Sequence, residues 1–327
     1  MLIISILLLV AGFILLIFGA DKLVEGGSGI AKKYHIPEIV IGLTIVAFGT
    51  SAPELAINLV AAIQGNTDIV LGNVLGSNIF NVLLILGVSA IVTPLSVKKN
   101  TVRFEIPFSL IAAIMVLFLA TDNFFTGGTD QIDFKDGILL LFCFVLFLRY
   151  NFYLAKTNPD EIQIVAKAIP VWKSIALMVF GLAGLVLGGR LIVNNAIVIA
   201  EFLGLSERVI ALTIVSIGTS LPELATSLVA VRKKEVDIAI GNVVGSNIFN
   251  IFLVLGASAV TKNTLVPAAS FVDIAINIIA GIFLLGFVFR GKEKNSGPWE
   301  GRTLDSREGI FFTLMYAAYL TYLLVGI

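Results

Sequence analysis

Apolar residues in this chain run in blocks of about 20, separated by short polar stretches. That is the length a helix needs to cross a hydrocarbon layer of roughly 30 Å. The windows predict membrane helices near 2–23, 36–63, 69–93, 104–121 and 136–155. A second set falls near 171–191, 206–231, 237–260, 268–290 and 308–326. The expected fold is an all-α polytopic membrane protein with ten transmembrane helices, five in each half.

One polar-in-apolar pattern is spelled twice, at 43–90 and again at 212–259. The two copies align without a gap and agree at roughly 30 of 48 positions, far beyond chance for a repeat. Each places one glutamate, Glu54 or Glu223, inside a hydrophobic run.

Basic residues give the orientation. Lys22, Lys32 and Lys33 follow the first helix, Lys98, Lys99 and Arg103 the third, and Arg149, Lys156, Lys167 and Lys173 the fifth. Arg232, Lys233 and Lys234 follow the seventh helix, and five more follow the ninth. The opposite loops hold only Lys135, Arg190, Arg208 and Lys262. The positive-inside bias therefore predicts that loops after odd-numbered helices are cytoplasmic and both termini extracellular. With five helices per half, the second copy enters the membrane from the other side, so the halves are expected to form an inverted repeat. The expected divisions are residues 1–155, a cytoplasmic linker at 156–170 and residues 171–327. The polar stretch 291–307 reads as a loop without chemistry.

Composition narrows the chemistry. Hydrophobic residues make up 58 % of the chain and charged ones 13 %, so water is not its main solvent. One cysteine, Cys143, excludes a disulfide framework and reads as inert packing. One histidine, His35, removes triads and histidine metal clusters and reads as an ordinary interfacial residue. The chain is expected to be no enzyme and to need no cofactor. Its N-terminal apolar run lacks a basic leader and a cleavage site, and is expected to stay as a membrane helix.

In GTSAPE, Gly49–Glu54, Pro53 lacks an N–H and crowds the preceding turn, so the helix is expected to break around Gly49–Ser51. Carbonyls freed there need protein, water or a cation. Thr50 and Glu54, four residues apart, project from one face. GTSLPE repeats this with Thr219, Ser220 and Glu223. In GNVLGSNIFN, Asn73, Ser77 and Asn81 form a stripe along one side of the third helix, and Asn242, Ser246 and Asn250 repeat it in the eighth. Gly72, Gly76, Gly241 and Gly245 are spaced for close helix contact. Asn78 and Asn247 point elsewhere and are expected to stabilise the bend; Asp68 and Asp237 are expected to cap the following helices. The glycines of the first and sixth helices read as close packing.

Inverting one copy onto the other brings two carboxylates, hydroxyls, amide oxygens and freed carbonyls together at mid-membrane. A lone intramembrane glutamate can be a protonated structural partner, but two related ones at proline breaks argue for function, since each costs roughly 2.5 kcal/mol or more to bury. The all-oxygen, anionic cage suits Ca²⁺ better than Mg²⁺, and Na⁺ accepts the same oxygens.

GTSxPE followed by GNVxGSNIFN, present twice in opposite orientation, resembles the alpha repeats of the sodium/calcium exchanger branch of the cation/Ca²⁺ antiporter superfamily. The resemblance implies ten helices with discontinuous helices two, three, seven and eight. It implies Na⁺/Ca²⁺ antiport in the plasma membrane by alternating access, electrogenic, with helices one and six shifting as a pair. Carried over, Glu54 and Glu223 bind Ca²⁺ and share Na⁺, while Thr50 and Thr219 add oxygens. Ser51, Ser77, Ser220 and Ser246 bind Na⁺ with the carbonyls of Ala47 and Ser216 nearby, and Asn81 and Asn250 face the centre. Several relatives carry an aspartate where this chain has Asn250, which removes a charge and weakens a K⁺-dependent reading. The alternatives are a proton-coupled Ca²⁺ antiporter and a cation channel. No protein or nucleic-acid partner is implied.

Overall fold

The computed structural model describes residues 2–98, 100–121, 129–157, 169–202, 216–290 and 302–325. Helix α1 spans Leu2–Tyr34 and ends at His35, whose φ of 54° lets the Ile36 N–H reach back to the Ala31 carbonyl at 3.0 Å. Exposed His35 is thus a helix terminator. Helix α2, Glu38–Thr50, meets α3, Ala52–Gln64, at a 46° bend. Next come α4, which runs from Thr67 to Val92, α5, Thr101–Leu119, and α6, Phe134–Thr157. Helix α7 is Val171–Phe202; after the undescribed 203–215 the short α8, Ser216–Thr219, leads into α9, Leu221–Arg232. Helices α10, running from Val236 to Thr261, α11, Ser270–Arg290, and α12, Ser306–Val325, complete the described chain.

Eight of the described helices are long and apolar enough to cross a membrane, or nine if α2 and α3 count as one bent span. The remaining predicted window, near 206–231, begins outside the described residues and continues as α8 and α9. The linker expected at 156–170 also falls largely outside them.

Two helices form the centre. The apolar windows of α10 and α4 are 94 % and 78 % buried, against 22 % for α1, α6 and α12. Outer helices therefore turn residues such as Leu7, Phe142 and Leu314 outward, as a lipid-facing belt requires. Between α10 and the outer helices lies an aromatic cluster: Phe108 stacks on Phe147 at 5.8 Å and meets Phe252 edge-on at 5.5 Å. Cys143 is packed against this core, which makes it packing.

Glycines let backbones touch. A Cβ on Gly19 would lie 2.7 Å from the Gly181 carbonyl, and one on Gly188 would lie 2.7 Å from the Leu16 N–H nitrogen. Helices α1 and α7 are therefore antiparallel and in backbone contact, as the small-residue pattern implied. Helix α10 approaches α2 equally closely, since a Cβ on Gly245 would meet the Leu43 backbone at 2.8 Å. Gly72 departs from the expected close contact: among the described residues nothing comes within 4 Å of a Cβ built there.

Three further expectations are corrected. The third and eighth helices, α4 and α10, are not interrupted: each stays helical through a π stretch, Phe80–Leu86 in α4 and Asn250–Leu255 in α10. Widening the turn accommodates strain without breaking the chain, and such stretches favour functional sites. The polar loop 291–307 is not wholly irregular, because β4, Arg302–Leu304, pairs antiparallel with β1, Leu95–Val97, and ties the α4 exit to α12. A smaller clip joins β2, Gln131–Ile132, to β3, Thr264–Leu265. Finally, Asp237 is not the N-cap of its helix: Glu235 is, and the Asp237 carboxylate pairs with Lys98 at 2.7 Å.

Candidate ion-binding site

The bend between α2 and α3 is made by Ser51, whose φ and ψ of −85° and 2° leave the helical region. Ser220 repeats it with −89° and 5° between α8 and α9. Pro53 and Pro222 have no N–H to offer the preceding turn, so each helix stops and restarts there. The restart places Glu54 in the first turn of α3 and Glu223 in the first turn of α9, at the positive ends of those helices.

Both carboxylates are sealed from solvent, each 1 % exposed. Ser51 donates to Glu223 Oε1 at 3.1 Å, so the bend of one copy touches the acid of the other. The related Ser220 instead donates to Ser77 at 3.1 Å. Among the described residues, neither oxygen of Glu54 has a hydrogen-bond partner in good geometry, and nor has Glu223 Oε2.

Around the acids the two copies clasp each other reciprocally. Thr50 donates to Asn242 Oδ1 at 3.1 Å, and its counterpart Thr219 donates to Asn73 Oδ1 at 3.3 Å. Asn81 donates to Asn247 Oδ1 at 3.0 Å, and its counterpart Asn250 donates to Asn78 Oδ1 at 3.1 Å. Exchanged pairs of this kind are what an internal two-fold produces. Asn242 also donates to Ser227 at 3.0 Å and to the Glu223 carbonyl at 3.3 Å, which fixes its oxygen toward Thr50.

Of the predicted residues, Thr50, Ser51, Glu54, Ser77, Asn81, Ser220, Glu223, Ser246 and Asn250 are all buried in this cluster. Thr219 is half-buried. The Ala47 carbonyl already accepts the Ser51 N–H at 2.9 Å and the Thr50 hydroxyl at 3.3 Å, so it is engaged in the bend. Ser216 begins α8, and its side chain lies outside the described residues. Asn78, Asn247 and Asn242 carry more than the sequence suggested: they hold the amides and hydroxyls of the predicted set. Their repetition in both copies was the signal, but a helical wheel turned the first two away from the stripe.

Among the described residues, six buried side-chain oxygens of the cluster have no hydrogen-bond partner in good geometry: both of Glu54, Glu223 Oε2, Ser246 Oγ, Asn81 Oδ1 and Asn250 Oδ1. Buried polar atoms are nearly always paired, and each orphan costs about 1–3 kcal/mol. Among the described residues no group of three His, Cys, Asp or Glu side chains gathers. The cage thus holds two acids with neutral oxygens, a donor set for hard cations. A cavity of about 340 Å³ lies beside it, lined by Pro53, Thr219 and Pro222 on one side and by Gly189, Arg190 and Asn194 of α7 on the other.

Known proteins resemble this chain over most of its length. The family model for "Sodium/calcium exchanger protein" matches residues 4–153 and 173–325. The sodium/calcium exchanger MaX1 of Methanosarcina acetivorans is 32 % identical, over 99 % of either chain. The Ca²⁺/H⁺ antiporter ChaA of Bacillus subtilis is 30 % identical over 63 % of either chain. Among solved structures, the sodium-calcium exchanger NCX_Mj superposes with a TM-score of 0.80 at 32 % identity, covering 98 % of this chain and 99 % of that one. The chain therefore belongs to the sodium/calcium exchanger protein family, transporters and not catalysts, and is an integral multi-pass membrane protein that exchanges cations including Ca²⁺.

Proposed function

We propose that the protein is a Na⁺/Ca²⁺ antiporter of the plasma membrane, working by alternating access across two inverted five-helix repeats with both termini outside. The observation that carries this reading is the set of six unpartnered buried oxygens around Glu54 and Glu223. A dehydrated Ca²⁺ takes about 6–8 oxygens in flexible geometry, and Na⁺ uses the same donors, so one cluster serves both ions in turn.

Thr50, Thr219, Ser51, Ser77, Ser220, Ser246, Asn81 and Asn250 complete the ligand set, with backbone oxygens at Ala47 and Ser216. Loaded with Ca²⁺ or with several Na⁺, the two carboxylates are neutralised and α1 and α7 shift together past the central helices. Empty, they leave two buried negative charges whose movement is too costly, which couples the fluxes. Several Na⁺ against one Ca²⁺ moves net charge, so transport is electrogenic.

Proton coupling is the second reading, favoured by the name of the ChaA relative. Purified protein in liposomes decides between them. An outward Na⁺ gradient is expected to drive Ca²⁺ uptake, and Glu54→Gln to abolish it. Uptake driven by a pH gradient alone and indifferent to Na⁺ would move the protein to the proton-coupled class.

A further inference from the structure

We infer that Asn78 and Asn247 are positioning residues that set which way the amides of Asn81 and Asn250 face, so that the cation cage presents oxygen only. The inference rests on the cation-site reading above and adds to it a control on the cage's polarity.

The geometry is a chain of four asparagines, Asn81–Asn247–Asn78–Asn250. Asn81 Nδ2 is docked on Asn247 Oδ1 at 3.0 Å, and Asn250 Nδ2 on Asn78 Oδ1 at 3.1 Å. Asn78 and Asn247 are themselves fixed, each donating its own amide to the other's backbone carbonyl, at 3.2 and 3.5 Å. All four side chains are buried, at most 3 % exposed. A carboxamide is planar, with its nitrogen and oxygen on opposite corners. Once the nitrogen is docked on its neighbour, the oxygen is the corner left over, and among the described residues Asn81 Oδ1 and Asn250 Oδ1 have no hydrogen-bond partner.

An unanchored amide has no such preference. A 180° flip would place N–H donors against a cation, exchanging attraction for repulsion at nearly the same volume. The neutral central residues of this chain therefore depend on their neighbours in a way that a carboxylate would not, since both ends of a carboxylate are oxygen. That difference separates positioning from mere stapling of α4 to α10.

The test uses the full-length protein in liposomes and in detergent, with Asn247→Ala alone and combined with Asn81→Asp. Positioning predicts that Asn247→Ala weakens Ca²⁺ binding about tenfold and raises the KM for Ca²⁺ in step. It predicts that the same change in the Asn81→Asp background shifts binding less than about twofold, because no wrong face remains. Asn78→Ala with Asn250→Asp repeats the experiment on the other side and replaces it if one variant does not fold. Equal losses of binding with and without the aspartate, or lowered melting temperature with unchanged Ca²⁺ affinity, overturn the inference. Direct Ca²⁺ binding by the unaltered protein, with no Na⁺-driven uptake, would defeat the exchange reading while leaving this comparison intact.

Discussion

Ser51 donates its hydroxyl hydrogen to Oε1 of Glu223 across 3.1 Å, joining residues 172 positions apart. Its counterpart Ser220 does not return the bond to Glu54 but turns to Ser77. Two stretches that repeat the same motif thus leave two glutamates in different settings, one holding a serine of the other copy and one without it.

That inequality predicts unequal serines. Removing a hydrogen bond to a charged group costs roughly 1.5–3 kcal/mol, so Ser51→Ala is expected to raise the KM for Ca²⁺ by about tenfold or more. Ser220→Ala, which loses a bond to a neutral hydroxyl and none to a carboxylate, is expected to raise it less. Parallel flux titrations of the two variants check the order.

Backbone contact between α1 and α7 makes a second expectation. A side chain at Gly181 would lie 2.6 Å from the Leu23 amide nitrogen, where only backbone movement can make room. Gly181→Val is expected to destabilise by roughly 1–3 kcal/mol or more and to slow exchange before it alters Ca²⁺ affinity. Gly286→Ala, with nothing within 4 Å among the described residues, is the matched control. Its melting temperature is expected to stay the same or rise.

The turns between α3 and α4 and between α9 and α10 share one design with one flaw. Gly65, at φ 79°, lets the Asn66 N–H reach the Ala61 carbonyl at 2.9 Å. Lys234 does the same work at φ 65°, passing the Glu235 N–H to Ala230 at 2.9 Å, with a Cβ in the left-handed region. Lys234→Gly is therefore expected to stabilise by up to about 1 kcal/mol, and Gly65→Ala to destabilise by about 1 kcal/mol or more. Thermal unfolding in detergent compares them.

Polar contacts fasten α1 to the α9–α10 turn. Glu235 accepts from Ser28 at 2.9 Å and from Lys32 at 3.1 Å, with Glu38 beside it and Asp237 nearby, while Lys233 pairs with Asp21 at 2.7 Å. Burial opposes ionisation of Glu235, but its hydrogen bonds with Glu38, Lys32 and Ser28 and the Lys32 charge hold its carboxyl below the usual range. A group depressed in this way stabilises the fold above its unfolded pKa, and that contribution fades as pH falls through the folded value. Hydrogen exchange in the end of α1 that meets this turn is therefore expected to rise on acidification. Glu235→Gln is expected to remove the pH dependence at a cost of about 1 kcal/mol or less.

Much of this protein is determined by sequence alone, because the controlling forces are local or compositional. Apolar run length sets the spans, since hydrocarbon tolerates little else. Pro53 and Pro222 fix the two bends through a missing N–H. The repetition of Glu54 and Glu223 beside hydroxyl and amide residues named the cage. Tertiary structure alone decided how its members face one another. Whether Ser51 or Ser220 reaches a carboxylate, and which corner of Asn81 or Asn250 turns inward, depends on partners far away in sequence. The same holds for Asp237 choosing Lys98 over its helix end and for β4 closing on β1. The π stretches at Asn81 and Asn250 belong there too, because a widened turn is a response to packing between α4 and α10 that the 3.6-residue period does not record.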